Sequence, residues 1–185
     1  MSVWDDLKEK VLACKGCVLC RERTQAVFGE GDTDAPIMFV GEGPGQEEDR
    51  LGRPFVGAAG KLLDEMLVGI GLNRTQVFIA NIIKCRPPNN RDPKPEEIDT
   101  CKEYLFAQIA YINPKVICTL GRHSLHTLVR PDISISKEHG NPIRSKGLLY
   151  LPMYHPAAVL YRRQLLDYLR YDFEQLKLVA ERGFY

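Results

Sequence analysis

Cys14-x-x-Cys17-x-x-Cys20 places three thiols at metal-ligand spacing early in a 185-residue chain, and Cys85 and Cys101 follow with fifteen residues between them. Two thiols at Cys-x-x-Cys spacing hold one metal from a tight turn. Cys85 and Cys101 complete a four-thiolate site, suited to zinc or to an iron–sulfur cluster. Spacing alone does not choose between these metals, nor does it exclude Cys20 as a ligand. Cys118 falls inside the apolar run Val116 to Leu120, where a thiol acts as a small buried hydrophobe. Cys101 shares helical spacing with Ile98, Leu105, Ile109 and Ile112, so a core role is open to it as well.

A second group of residues carries polar chemistry. Gly41-Glu42-Gly43-Pro44-Gly45 follows the apolar run Ile37 to Val40 and invites comparison with phosphate-binding loops. It lacks the G-x-G-x-x-G spacing leading directly into a helix, and no Lys-Ser/Thr follows. Glu42, Glu47, Glu48 and Asp49 would also repel a phosphate at close range. Asn81 ends an apolar run, where a carboxamide often satisfies loop backbone groups. His155-Pro156 follows another, where a lone histidine is usually bonded within a turn. Phe55, by its type alone, is more often core. His123, His126 and His139 have no motif around them and read as structural.

The elements that would position these residues alternate along the chain. Val3 to Val11 reads as an amphipathic helix, Leu62 to Ile70 as another, and the stripe from Ile98 to Ile112 as a third. A short helix is expected from about Arg122 to Val129 and a terminal helix over Gln164 to Val179. Strands are expected at Ile37 to Val40, Val77 to Ile83, Val116 to Leu120 and Leu148 to Met153. Such alternation implies an α/β fold, with a central four-stranded parallel sheet flanked by helices on both faces in three layers. Ligands then bind where loops leave the carboxyl ends of the strands. The segments Gly41 to Val56, Lys84 to Pro95 and Tyr154 to Ala158 are read as loops meeting there. One domain over residues 1–185 is expected, without repeats or low-complexity segments.

Hydrophobic residues make up 44% of the chain and charged residues 26%, which suits a globular core, and the net charge of +1 makes any nucleic-acid surface a local one. Five of the first ten residues are charged, which is not expected of a signal peptide or anchor. No stretch approaches the ~18 apolar residues of a spanning helix. These features point to a cytoplasmic protein with no membrane partner, and six cysteines there suggest metal, catalysis or burial rather than disulfides.

Longer motifs then become recognisable. Gly41-Glu42-Gly43-Pro44-Gly45-Gln46-Glu47-Glu48-Asp49 and Gly52-Arg53-Pro54-Phe55-Val56-Gly57 resemble the signature of family 4 uracil-DNA glycosylases. Asn81-Ile82-Ile83-Lys84-Cys85-Arg86-Pro87-Pro88-Asn89-Asn90-Arg91 and His155-Pro156 do so too, in order, from Cys14 to about Leu160. The resemblance implies the uracil-DNA glycosylase fold and a [4Fe–4S] cluster on Cys14, Cys17, Cys85 and Cys101, with Cys20 a bystander. It implies release of uracil from DNA, leaving an abasic site.

By that resemblance, Phe55 stacks on a flipped uracil, and Glu42 and Gly43 line the base through their backbone. Asn81 accepts from uracil N3–H and donates to O4, a pattern that cytosine reverses. His155 donates to O2 as negative charge develops. The better-known uracil glycosylases have an Asp at the position of Gly43, so Glu42, Glu48 and Asn90 are the candidates for activating water. Glu48 has a second candidate role, exclusion of the thymine methyl group. Lys84, Arg86, Arg91 and Lys94 in one loop, with Arg162 and Arg163 beyond His155, are the expected phosphate contacts, and Leu160 and Tyr161 the expected wedge.

Two other readings stand beside the enzyme: a module that traps uracil-DNA through a histidine, and an iron–sulfur DNA sensor without turnover. Residues Lys84 to Pro95 contain no histidine, which disfavours trapping. No lysine is among the residues assigned to the pocket to form a Schiff base, so a monofunctional enzyme without strand cleavage is expected. The substrate is expected to be single- or double-stranded uracil-containing DNA, bound by a monomer.

Overall fold

A computed structural model describes residues 2–184. Helix α1 (Val3–Leu12) starts where Ser2 and Asp5 satisfy each other's backbone N–H groups. Strand β2 (Ile37–Gly41) is buried along its whole length, as a central strand covered on both faces must be. It is preceded by the two-residue strand β1 (Glu30–Gly31) and followed by helix α2 (Gln46–Leu51), which Gly52 ends at φ 69°. Helix α3 (Ala58–Gly69) leads into β3 (Phe78–Asn81). Helix α4 (Pro95–Ile112) takes Pro95 in its first turn and ends at Asn113 with φ 49°. There follow β4 (Val116–Leu120), α5 (Arg122–Leu128) and α6 (Ile135–Glu138). The chain closes with β5 (Ile143–Ser145), β6 (Leu148–Met153), α7 (Pro156–Tyr161) and α8 (Leu166–Glu181).

The six strands form one sheet in the order β1-β3-β2-β4-β6-β5. The central four, β3-β2-β4-β6, are parallel, but β1 and β5 pair antiparallel at the two edges, so the sheet is mixed rather than four parallel strands. Strand β5 joins β6 through Lys146 and Gly147, both at positive φ (50° and 80°), a two-residue turn whose twist suits a hairpin.

Alternate strand residues feed two cores. Met38, Val40, Phe78, Ala80 and Ile117 pack with residues of α1, α4 and α5 on one face. Phe39, Ile79, Val116 and Cys118 pack with α3 and α8 on the other, so helices cover both faces as expected. Two of the three segments expected to be loops hold short helices, α2 and α7. Helix α2 is acidic and lacks an apolar stripe; α7 begins at a proline that also reads as a loop signal. No helix among the described residues is long and apolar enough to cross a membrane.

Candidate active site

At the carboxyl ends of β2, β3 and β6 lies an open cleft of about 440 Å³. Glu42, Gly43, Glu48, Phe55, Asn81, Asn90 and His155, from segments spread over more than half the chain, all line it. Two glycines make the convergence possible. A Cβ at Gly41 would lie 2.5 Å from Asn81 Oδ1 and 2.6 Å from Phe55 Cζ, and one at Gly43 would lie 2.6 Å from Ile83 Cγ1. Residue 43 therefore has no room for a side chain unless Ile83 moves.

Asn81, the last residue of β3, pairs in register with Gly41 and is 2% exposed. Its Oδ1 is buried and has no hydrogen-bond partner among the described residues. An orphaned buried acceptor costs about 1–3 kcal/mol, and a ligand N–H would relieve that cost. His155 caps α7: its Nδ1 accepts the Ala157 N–H at 3.0 Å. A neutral imidazole that accepts at Nδ1 carries its proton on Nε2. Burial pushes the His155 pKa down to about 4, against a smaller opposing pull from Glu48, so the ring is neutral at pH 7. The ring stacks with Phe55, centroids 5.6 Å apart and planes at 28°. Phe55 itself sits at φ 51°, a strained conformation for an aromatic residue.

The three carboxylate and amide candidates differ in what they have free. Glu48 Oε1 accepts the N–H groups of Val56 and Gly57, both at 2.9 Å, tying α2 to the start of α3. Asn90, at φ 53° after Asn89 at φ 55°, accepts from Arg86 Nε at 2.7 Å. Glu42 has no such bond: its Oε2 lies 3.6 Å from His123 Nε2, which is also 3.3 Å from Asp92 Oδ2. Burial raises the Glu42 pKa, His123 lowers it and Asp92 raises it again.

Asp92 and His123 were not among the sequence-derived site residues. Asp92 lines the cleft, and its place in a loop of basic residues carries no signal of that. His123 follows the carboxyl end of β4, and that position was the available signal. His126 and His139 are structural, bonded to Ile133 O at 2.8 Å and Asp172 at 2.6 Å.

The basic residues separate in the same way. Lys84 is fully buried, donating to Asn81 O at 2.9 Å and Gln108 Oε1 at 2.6 Å, so it is a strut beneath Asn81 and no phosphate contact. Arg91 forms a two-pronged pair with the buried Glu97 at 2.6 and 2.9 Å. Lys94, Arg162 and Arg163 are exposed. Tyr161, 90% exposed, stands at the cleft wall, and Leu160 beside it is 44% exposed.

On the other side of Lys84, Cys14, Cys17, Cys20, Cys85 and Cys101 line a second, smaller and largely apolar pocket. None of the six cysteines is in a disulfide, and Cys118 is buried in the opposite core. Backbone or side-chain N–H groups point at three of the sulfurs: Arg23 at Cys85 (2.9 Å), Lys84 N at Cys101 (3.2 Å) and Gly16 N at Cys14 (3.4 Å). Burial raises the Cys101 thiol to about 11 and raises Cys17 and Cys85 as well. Converging thiols with N–H donors around them fit a metal group, whose charge is what would favour thiolates here. Cys20 lies in the same pocket, so proximity does not separate it from the other four.

The family model described as the uracil DNA glycosylase superfamily matches residues 28–177. A type-4 uracil-DNA glycosylase of Sulfurisphaera tokodaii is 49% identical over 97% of this chain and 86% of its own length. That of Thermotoga maritima is 50% identical over 85% of this chain and 83% of its own, and that of Archaeoglobus fulgidus 44% identical over 95% and 92%.

Proposed function

Since this chain belongs to the uracil DNA glycosylase superfamily, we propose that it hydrolyses the N-glycosidic bond of deoxyuridine in DNA, as a monomer, releasing uracil and leaving an abasic site. The observation that carries the reading is one cleft holding an orphaned amide oxygen, a neutral imidazole and an aromatic face.

A base in a duplex must leave the stack to enter such a cleft. Phe55 would then stack on the flipped pyrimidine, a contact worth roughly 1–3 kcal/mol. The Asn81 Oδ1 accepts uracil N3–H and its Nδ2 donates to O4. Cytosine offers an acceptor at N3 and a donor at N4, so the same amide meets two mismatched groups. As the C1′–N1 bond breaks, its electron pair passes into the uracil ring and charge gathers at O2. His155 Nε2–H is the donor for that oxygen; its low pKa keeps the ring neutral, and a neutral imidazole donates a hydrogen bond without giving up its remaining proton. A water molecule then adds at C1′ and loses a proton. Glu42 has the least committed carboxylate of the three candidates, which supports it as the proton acceptor.

The bonds of Glu48 support a positioning role, holding the Phe55 segment against α2. Lys84, beneath Asn81, spends its ammonium on Asn81 O and Gln108, which supports a monofunctional enzyme. Arg86, Arg162 and Arg163 are the better-placed phosphate contacts, while Arg91 is held by Glu97. A [4Fe–4S] group on Cys14, Cys17, Cys85 and Cys101 would supply a covalent clamp joining the N-terminal segment, the loop after β3 and α4.

The test is incubation with single- and double-stranded uracil-containing oligonucleotides, then hot alkali and a sizing gel. Cleavage at uracil only after alkali is expected, falling about 10²–10³-fold in His155→Ala. A similar loss is expected in Asn81→Ala. Folded protein that yields no alkali-labile product would refute the proposal.

A further inference from the structure

Arg74 opens the 3-10 turn Arg74–Gln76 ahead of β3, where Asn73 and Gln76 cap the turn's start. All five of its N–H donors are engaged. Nη1 donates to Phe55 O at 2.7 Å and Asp64 Oδ1 at 3.1 Å. Nη2 donates to Glu30 Oε1 at 2.6 Å and to Pro54 O; Nε donates to the same Glu30 oxygen at 3.1 Å. Glu30 is itself held by Arg53 Nε at 2.8 Å. Two carboxylates thus anchor a guanidinium whose remaining bonds go to consecutive carbonyls, those of Pro54 and Phe55.

The Phe55 carbonyl is the fixed point of a strained residue. Phe55 sits at φ 51°, which an aromatic side chain adopts only when its surroundings impose it. The first turn of α3 also presses so closely that a Cβ on Gly60 would fall 1.8 Å from Phe55 O. On the next residues, Glu48 Oε1 holds the N–H groups of Val56 and Gly57.

We propose that Arg74 is a positioning residue for base recognition: its fork on the Pro54 and Phe55 carbonyls holds Phe55 in the left-handed conformation that turns its ring toward His155. The proposal rests on the reading of Phe55 as the stacking platform for uracil. A lysine would keep the charge, but its single ammonium has three donors and no planar fork, so it does not span carboxylates on one side and two carbonyls on the other.

The experiment is a double-mutant cycle of Arg74→Lys and Phe55→Gly, read by single-turnover uracil release and by inhibition with free uracil below the unfolding temperature. Glycine adopts φ 51° without strain and has no ring, so both of Arg74's tasks vanish on that background. Arg74→Lys alone is expected to lower the release rate about 10- to 100-fold and to weaken uracil inhibition by a similar factor. In Phe55→Gly, adding Arg74→Lys is expected to change either readout by less than about twofold.

Three outcomes overturn the proposal. Losses that multiply would make Arg74 a support of the fold independent of Phe55. Arg74→Lys with a lower unfolding temperature but unchanged release and inhibition would make it structural only. Phe55→Gly with unchanged release and inhibition would remove the stacking platform itself, and the proposal with it. Where Arg74→Lys does not fold, Glu30→Gln takes its place in the same cycle, with a smaller loss, about 3- to 10-fold, erased in Phe55→Gly.

Discussion

His155 shows how much one hydrogen bond decides. The Ala157 N–H on Nδ1 sets the tautomer, and burial sets the charge. Uracil release should therefore be insensitive to His155 protonation at neutral pH, and the loss due to His155 itself should be confined to pH values near 4, below the protonation of Glu42, whose pKa burial raises. His155 also has a stability signature. Its folded pKa of about 4 lies below the unfolded value of about 6.5, so the unfolded chain binds more protons in that interval. The stability it contributes is complete above about 6.5 and is lost as pH falls toward 4. His155→Gln should lose less unfolding free energy than the wild type between about pH 7 and about pH 5, measured by urea titration. Equal losses would contradict the shift. Asp172, whose pKa burial raises to about 6, acts with the opposite sign but is common to both proteins and cancels.

Among the elements, the long periodic ones were legible and the short ones were not. Helix α4 and strand β4 declare themselves through apolar spacing and a bounded apolar run. The edge strands, of two and three residues, are too short to carry an alternation. Helix α2 is built from Gln46, Glu47, Glu48 and Asp49, which read as loop, yet it delivers Glu48 to Val56 and Gly57. Glu48→Ala should leave those N–H groups without their acceptor. A destabilisation of about 1–3 kcal/mol is expected, together with slower uracil release. Thermal unfolding beside a single-turnover assay checks both; an unchanged melting temperature would mean that water replaces the carboxylate.

Across the whole molecule, a net charge of +1 leaves DNA affinity to a few placed cations. Arg162→Ala and Arg163→Ala should each reduce the slope of log K against log salt by about 1, whereas Arg91→Ala should act mainly on stability through Glu97. Cys85→Ser is expected to lose iron and visible colour and to unfold at lower temperature, while Cys20→Ser keeps both. Iron analysis with absorbance distinguishes them, and loss of iron in Cys20→Ser would redraw the ligand set. Residue types, their order and the motifs around Glu42, Phe55, Asn81 and His155 are local properties, so the α/β class and the seven cleft residues could be read from the chain alone. Which donors and acceptors are already spent is not local. Lys84 can be buried because Gln108, twenty-four residues later, accepts a hydrogen bond from its ammonium, and Gln108 in turn donates to Phe28 O, eighty residues away. Competition for hydrogen bonds and loss of solvent are settled only when distant segments pack. Tertiary structure therefore turned a supposed phosphate contact into a strut, left Asn81 Oδ1 open and fixed the proton of His155 on Nε2.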